Sequence, residues 1–261
     1  MNKFTVNDEG VLTDVFIDED YVLLPETVKY IGRQSMFSTP VIEDNIEKGY
    51  DKHNKLYTHI RCMIKTIDIS NTKIEVLPQK CFHNIHSLET FISNELLNNI
   101  PTECFLNNMK LEKIINMKKI TYIGDRAFFG CKMLKKINLN DCLVIGSESF
   151  SNCSSLENIA LPSIITIGTY AFERCVNISS VSIGDKITVL QNGVFFDNVS
   201  LTHIKIPKSV INIRRNAFGL SSTMSNSNHV DREITFLTDR KHICIDADAI
   251  SKSYKYHVKV S

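Results

Sequence analysis

The chain has 261 residues, 43% hydrophobic and 23% charged, with a formal net charge of +1 at pH 7. That hydrophobic content excludes a disordered chain, and the charge balance excludes a global electrostatic case for nucleic acid or an acidic membrane. No stretch approaches about 18 consecutive apolar residues, so no membrane-spanning helix is expected.

At the start, Phe4–Val6 and Val11–Ile17 flank Asn7-Asp8-Glu9-Gly10, a hairpin signal. Residues 1–20 are therefore expected to form a capping hairpin on an open first repeat. The same segment lacks a basic start followed by an apolar run, so no signal peptide is read there. The C-terminus carries no prenylation box. A cytoplasmic location follows as an expectation, with unconventional export to the cell surface as its alternative.

From about residue 21 the chain begins to repeat. Val22, Leu24, Val28, Ile31 and Phe37 form an irregular first copy, with Phe37 six residues after the Ile rather than five. Residues 38–58 then interrupt the pattern and read as an insertion with partial helix, from alternating Glu and Lys behind Pro40. Ile64, Ile67 and Ile69 resume the pattern.

The regular part is timed by phenylalanine. Phe82, Phe105, Phe128, Phe150, Phe172, Phe195 and Phe218 are separated by 23, 23, 22, 22, 23 and 23 residues. A fixed step of that size means a stack of small units sharing one core. Apolar residues recur five and eight positions before each Phe and six, nine and eleven after it. The last two alternate as on a strand, with one residue between them. Residues 21–250 are expected to form one solenoid, with the one-residue slack absorbed in a loop.

The segments 122–139 (YIGDRAFFGCKMLKKINL), 145–162 (IGSESFSNCSSLENIALP) and 167–183 (IGTYAFERCVNISSVSI) resemble the BspA-like leucine-rich repeat, with its pattern IGxxAFxxCxxLxxIxLP. The resemblance covers residues 20–250. It implies an α/β-type, right-handed leucine-rich-repeat solenoid or horseshoe with a parallel sheet on its concave face, mostly strands and loops. It also implies relatives that act as surface antigens and adhesins.

Two copies depart from the pattern: Ser93 and Asn116 stand where an apolar anchor belongs, and Ile92 and Ile115 beside them would face outward. A one-residue register shift, turning both Ile inward, resolves the two anomalies together and is the expectation. The other reading is an apolar anchor patch for a partner. The candidate partner-binding residues are Ile92, Lys113, Ile115, Lys136 and Asn138. The basic stretch from Lys110 to Lys136 reads otherwise as a solvated face.

Cys131, Cys153 and Cys175 each follow their Phe by three, and Asn108 and Asn198 replace cysteine at the same place. That swap points to a turn position where the side chain satisfies backbone groups or packs tightly. Free thiols are expected. No Cys-x-x-Cys is present, and His83 and His86 read as surface residues, so no metal or cofactor is expected. The acceptor patterns at Asn152, Asn177 and Asn198 arise from the repeat itself. Towards the end, 221–230 reads as a polar loop, and 251–261 as a capping strand with lysines guarding its edge.

No catalytic constellation is visible. The chain reads as a non-enzymatic protein-interaction scaffold, its partner unnamed. The alternative is a surface-displayed adhesin or antigen binding host or extracellular proteins.

Overall fold

The computed structural model describes residues 2–17, 19–32, 37, 64–117, 119–221, 232–237, 243–252 and 254–258. The 38–58 insertion, Lys118 and positions 222–230 of the polar loop lie outside them.

The phenylalanines form one continuous stack. From Phe105 to Phe172 successive ring centroids lie 5.1–5.2 Å apart with interplanar angles of 1–9°. Phe195 and Phe218 extend the stack at 5.7 Å. At the other end Phe82 lies 5.5 Å from Phe105, and Phe37 lies 5.4 Å from Phe82. The irregular first copy therefore still supplies a rung. Phe91 wedges against both Phe82 and Phe105, at 5.4 and 4.9 Å. The stacked rings are buried, as are the residues before them from Cys81 to Ala217. Each Phe amide from Phe82 to Phe195 donates to the carbonyl of the residue preceding the next Phe, at 2.7–3.0 Å.

Most turns of the solenoid have two strand segments. In the first column, Tyr21–Leu23, Thr66–Asp68, Thr90–Ile92 and Lys113–Ile115 make a four-stranded parallel sheet. Ile159–Leu161, Ser180–Ile183, His203–Ile206, Arg232–Phe236 and Tyr254–Val258 make a five-stranded one. Between the two sheets, residues 136–139 form no strand, although Leu139 is buried and Ile137 packs on the core. Val22 pairs directly with Ile67, so the long insertion between them leaves the ladder unbroken.

The second column begins with Asn99–Ile100, Tyr122–Ile123, Val144–Ile145 and Thr166–Ile167. It continues as a separate sheet of Val189–Leu190, Asn212–Ile213 and Cys244–Ile245. At the N-terminus Lys3–Val6 and Val11–Phe16 form an antiparallel hairpin, and the latter pairs with Tyr30–Ile31. The Asn2 side chain donates to the Tyr21 carbonyl, closing the first strand's outer edge.

The third side corrects the α/β expectation, because no helix occurs among the described residues. In its place runs a ladder of turns centred on the Phe stack. The residue two before each Phe from Phe82 to Phe218, and two after each from Phe82 to Phe195, has a positive φ. Lys80, Glu103, Arg126, Glu148 and Tyr170 all adopt this conformation, which costs a non-glycine residue on the order of 1 kcal/mol. The return is geometric. Alternating left-handed residues point their amides along the stack axis, so Arg126 N donates to Ser147 O and Glu148 N to Thr169 O, both within 2.9 Å. A helix would close these bonds inside one turn. Here they join neighbouring turns. Gly193 occupies one such place at φ +59, where a Cβ would fall 2.2 Å from the Tyr170 ring.

The side chains three after five of the Phe residues, Phe105 to Phe195, complete the hydrogen bonding. Cys131, Cys153 and Cys175 Sγ donate to the carbonyls of Phe105, Phe128 and Phe150 at 3.1–3.2 Å. Asn108 and Asn198 Nδ2 donate to Phe82 and Phe172 O at 2.8 and 2.9 Å. Thiol and amide exchange because each offers a donor to the same buried carbonyl one turn back. Burial pushes all three thiols well above the ordinary cysteine value, so they stay protonated and able to donate.

Two measurements check this packing. Phe150→Ala should cost about 3–5 kcal/mol by opening a cavity in the middle of the stack. Thermal or urea unfolding indistinguishable from wild type would place Phe150 outside the core. Thiol-specific mass tagging of the native chain should label the exposed Cys244 and leave Cys131, Cys153 and Cys175 untouched until denaturant is added. Labelling of any of the three in native buffer would contradict their role as buried donors.

Candidate protein-interaction face

The outward side chains of the first strand column lie in two parallel rows, because pairing in register sets equivalent residues side by side at about 4.8 Å. One row runs Tyr21, Thr66, Thr90 and Lys113. The other runs Leu23, Asp68, Ile92 and Ile115.

The pairing overturns the expected register shift. Phe91 and Ile114 pair in register with Ile67, as an unshifted repeat requires. Phe91 and Ser93 are both fully buried, so Ser93 keeps the inward place of the missing anchor. Its neighbour Asn94 makes that polar intrusion tolerable. Asn94 Nδ2 donates to Thr72 O, Thr72 Oγ1 and Ile74 O, while Oδ1 accepts from the Leu96 and Leu97 amides. In the next turn Asn116 enters the left-handed region at φ +63 and turns to solvent, and Met117 is buried just beyond it. A local bulge therefore corrects the second anomaly and leaves Ile115 outside, 40% exposed.

The structure thus sets an apolar group on this face. Ile92 is half-buried, and Ile115, Leu23 (42% exposed) and Tyr21 (45%) stand further out. Tyr21 and Leu23 escaped the sequence reading because more than forty residues separate them from their strand partners Thr66 and Asp68. Asp68, between Leu23 and Ile92, is buried and tied down by the Tyr21 hydroxyl and the Ser70 amide. Burial works to raise its carboxyl pKa, but those hydrogen bonds outweigh it and hold the group below its ordinary value. The same contact, with lesser help from burial, lifts the Tyr21 hydroxyl above its ordinary value. The carboxylate is therefore engaged by both bonds and adds little negative charge to the surface.

Lys113 is exposed beside Ile115. Lys136 and Asn138 are exposed too, but they lie on the segment that leaves the ladder, so no strand pairing fixes them next to Lys113. Part of the basic stretch is engaged elsewhere. Lys135 pairs with Glu112 at 3.0 Å, and Arg126 reaches Glu103 at 3.2 Å and lies 5.0 Å from the Phe129 ring centre.

Further along the same face, the five-stranded sheet holds an open groove of about 930 Å³. Short Ser180 and Ser182 form its floor, and His203, Lys205, Glu233 and Thr235 rise beside them. Glu233 accepts from Thr235 Oγ1 at 3.3 Å and lies 3.9 Å from His203 Nε2. The concavity comes from the step between short and long side chains. His83, read as a surface residue, directs Nδ1 to the Lys80 carbonyl at 2.7 Å. No group of three or more potential metal ligands occurs among the described residues.

Comparison with known proteins gives the same repeat. The model for the BspA type leucine rich repeat region matches residues 19–135 and 133–238, in six copies. The crystal structure of the T. pallidum leucine rich repeat protein is 18% identical, covering 86% of this chain and 90% of that one, with a TM-score of 0.52. A leucine-rich repeat protein from Bacteroides ovatus is 17% identical over 92% of this chain and 72% of that one, with a TM-score of 0.46. The pneumococcal vaccine antigen PcpA is 13% identical over 100% of this chain and 92% of that one, with a TM-score of 0.36. No curated protein sequence matches. With the model spanning most of its length and the T. pallidum structure sharing its fold, this chain belongs to the BspA-type leucine-rich-repeat family.

Proposed function

We propose that this protein is a non-enzymatic interaction scaffold whose protein partner docks on the outward face of the first strand column. The observation that carries the reading is the apolar group Tyr21, Leu23, Ile92 and Ile115, held in register on a rigid sheet with Lys113 at its margin. Such a group offers burial at its centre, and Lys113 and Lys136 steer an approaching partner electrostatically. The fold itself supports this, since stacked repeats present long ordered surfaces.

We place the protein in the cytoplasm, because its buried Cys131, Cys153 and Cys175 act as thiol donors and a reducing compartment preserves them. Display at the cell surface, as an adhesin or antigen, is the competing reading.

The test is an affinity pull-down with wild type beside a Lys113→Glu/Lys136→Glu double variant and an Ile115→Asp variant. All three positions are exposed, so stability should change by no more than about 0.5 kcal/mol per site. A partner captured by wild type should be lost by both variants. Capture that survives both, at low and at moderate salt, would move the binding surface elsewhere.

A further inference from the structure

The five-stranded sheet of the first column begins in a trough with cations on both sides. Its floor is four short side chains, Asn158, Ala160, Ser180 and Ser182, all exposed. Ala160 pairs with Ser182, and the Ser180 hydroxyl donates to Asn158 Oδ1 at 2.8 Å. The floor is thus two strands wide, about 10 Å at 4.8 Å per strand, which is room for a single extended segment. On one side His203 rises directly opposite Ser180, with Lys205 two residues on. On the other side the preceding turn raises exposed Lys136 and Asn138. That turn is held to the floor by the Glu157 amide, which donates to the Lys135 carbonyl at 3.1 Å. The groove of about 930 Å³ opens over the Ser180–Ser182 half of the trough.

The charge of the walls is not cancelled from within. Lys136 and Lys205 make no ion pair among the described residues. Lys65, Lys80, Arg126 and Lys135, elsewhere on the solenoid, each lie within 3.4 Å of a carboxylate. Two acids flank the trough. Glu233 stands beyond His203, 3.9 Å from its Nε2, and accepts from Thr235. Glu157 stands one residue outside the floor. At one end of the groove half-buried Ile183 and Leu237 add apolar surface.

We propose that this trough binds an extended acidic peptide segment of a partner protein, with carboxylates against Lys136 and Lys205 and an aliphatic side chain against Ile183 and Leu237. Charge complementarity selects the acid, since both walls offer a lysine with no carboxylate of its own. The short floor selects an extended main chain, because no side chain there keeps a guest backbone off the sheet. The Ser182 hydroxyl makes no hydrogen bond among the described residues, so it is open to that backbone. Nucleic acid is the poorer fit. Neither an aromatic side chain nor an arginine lines the groove among the described residues, so bases would find no stacking platform and phosphates no planar fork. The trough lies apart from the apolar group of Tyr21, Leu23, Ile92 and Ile115, and its occupancy stands or falls separately from the function proposed above.

Fluorescence anisotropy of labelled octapeptides against the full chain tests it. The peptide SEELSEEL should bind wild type, and SQQLSQQL should bind about tenfold more weakly or worse, because the attraction is between charges. Binding should weaken from low to moderate salt. Lys205→Glu reverses a wall charge, and Ser182→Tyr fills the floor without changing charge. Each should raise the Kd for SEELSEEL about tenfold or more. Both positions are exposed, so both variants should melt as wild type does. Ile115→Asp should leave peptide binding unchanged, which separates this site from the apolar group. A wild type that fails to bind SEELSEEL up to high micromolar concentration would overturn the proposal. So would equal affinity for the two peptides, binding that survives both trough variants, or loss of binding in Ile115→Asp. Tighter binding of an oligothymidine than of SEELSEEL would overturn it in favour of nucleic acid.

Discussion

Ring-on-ring contact between phenylalanines of successive turns is the interaction on which the rest of this structure depends. A single turn of 22 or 23 residues has too little apolar surface to offset the entropy of ordering it. Each turn is stabilised when its Phe packs against the ring of a neighbouring turn. The stack also sets the orientation of the polypeptide around it. Rings 5.1–5.2 Å apart bring the surrounding backbone to nearly strand spacing, so the amides on either side of each Phe meet carbonyls of the next turn. Stacking and hydrogen bonding thus share one repeat distance, and a residue that disturbs one disturbs the other.

That shared distance explains features that look unfavourable one at a time. Lys, Glu, Arg and Tyr in the left-handed region cost backbone energy, yet any other conformation would aim their amides away from the neighbouring turn and leave buried carbonyls without a partner. Exposed ion pairs such as Arg126–Glu148 are individually weak. In a one-dimensional array they act only between adjacent turns and so reward the correct register. The same one-dimensionality lets the chain between Phe37 and Ile64 interrupt the sequence without interrupting the core: Phe37 still meets Phe82, and Val22 still meets Ile67.

Much of this was legible in the sequence because a period is a global signal. The Phe step located the turns, and the columns of Ile and Leu located the buried faces. The exchange of Cys131, Cys153 and Cys175 with Asn108 and Asn198 pointed to a side chain serving the backbone, which the hydrogen bonds to the Phe carbonyls bear out. What the period could not report was local backbone geometry. The helix implied by the family resemblance does not form among the described residues, because every second amide on that side donates to the neighbouring turn rather than to its own. The register shift expected at Ile92 and Ile115 does not occur, because Ser93 can be buried beside a well-bonded Asn94, and a left-handed Asn116 brings Met117 inward. Of the candidate site, Ile92, Ile115 and Lys113 were readable from their places in the repeat. Tyr21 and Leu23 were hidden, since only the fold brings the first copy beside Thr66–Asp68.

The claim that each turn is held by its immediate neighbours through the Phe stack is tested most directly by comparing two double-mutant cycles. Phe150→Leu with Phe172→Leu removes one ring contact from both sides, across a pair 5.1 Å apart. Phe128→Leu with Phe195→Leu changes two rings that do not touch. Measured by urea unfolding, the adjacent pair should show a coupling energy of about 0.5–1.5 kcal/mol, as stacked aromatic pairs do. The separated pair should add to within about 0.5 kcal/mol. No coupling between Phe150 and Phe172, or coupling as large between Phe128 and Phe195, would contradict the account.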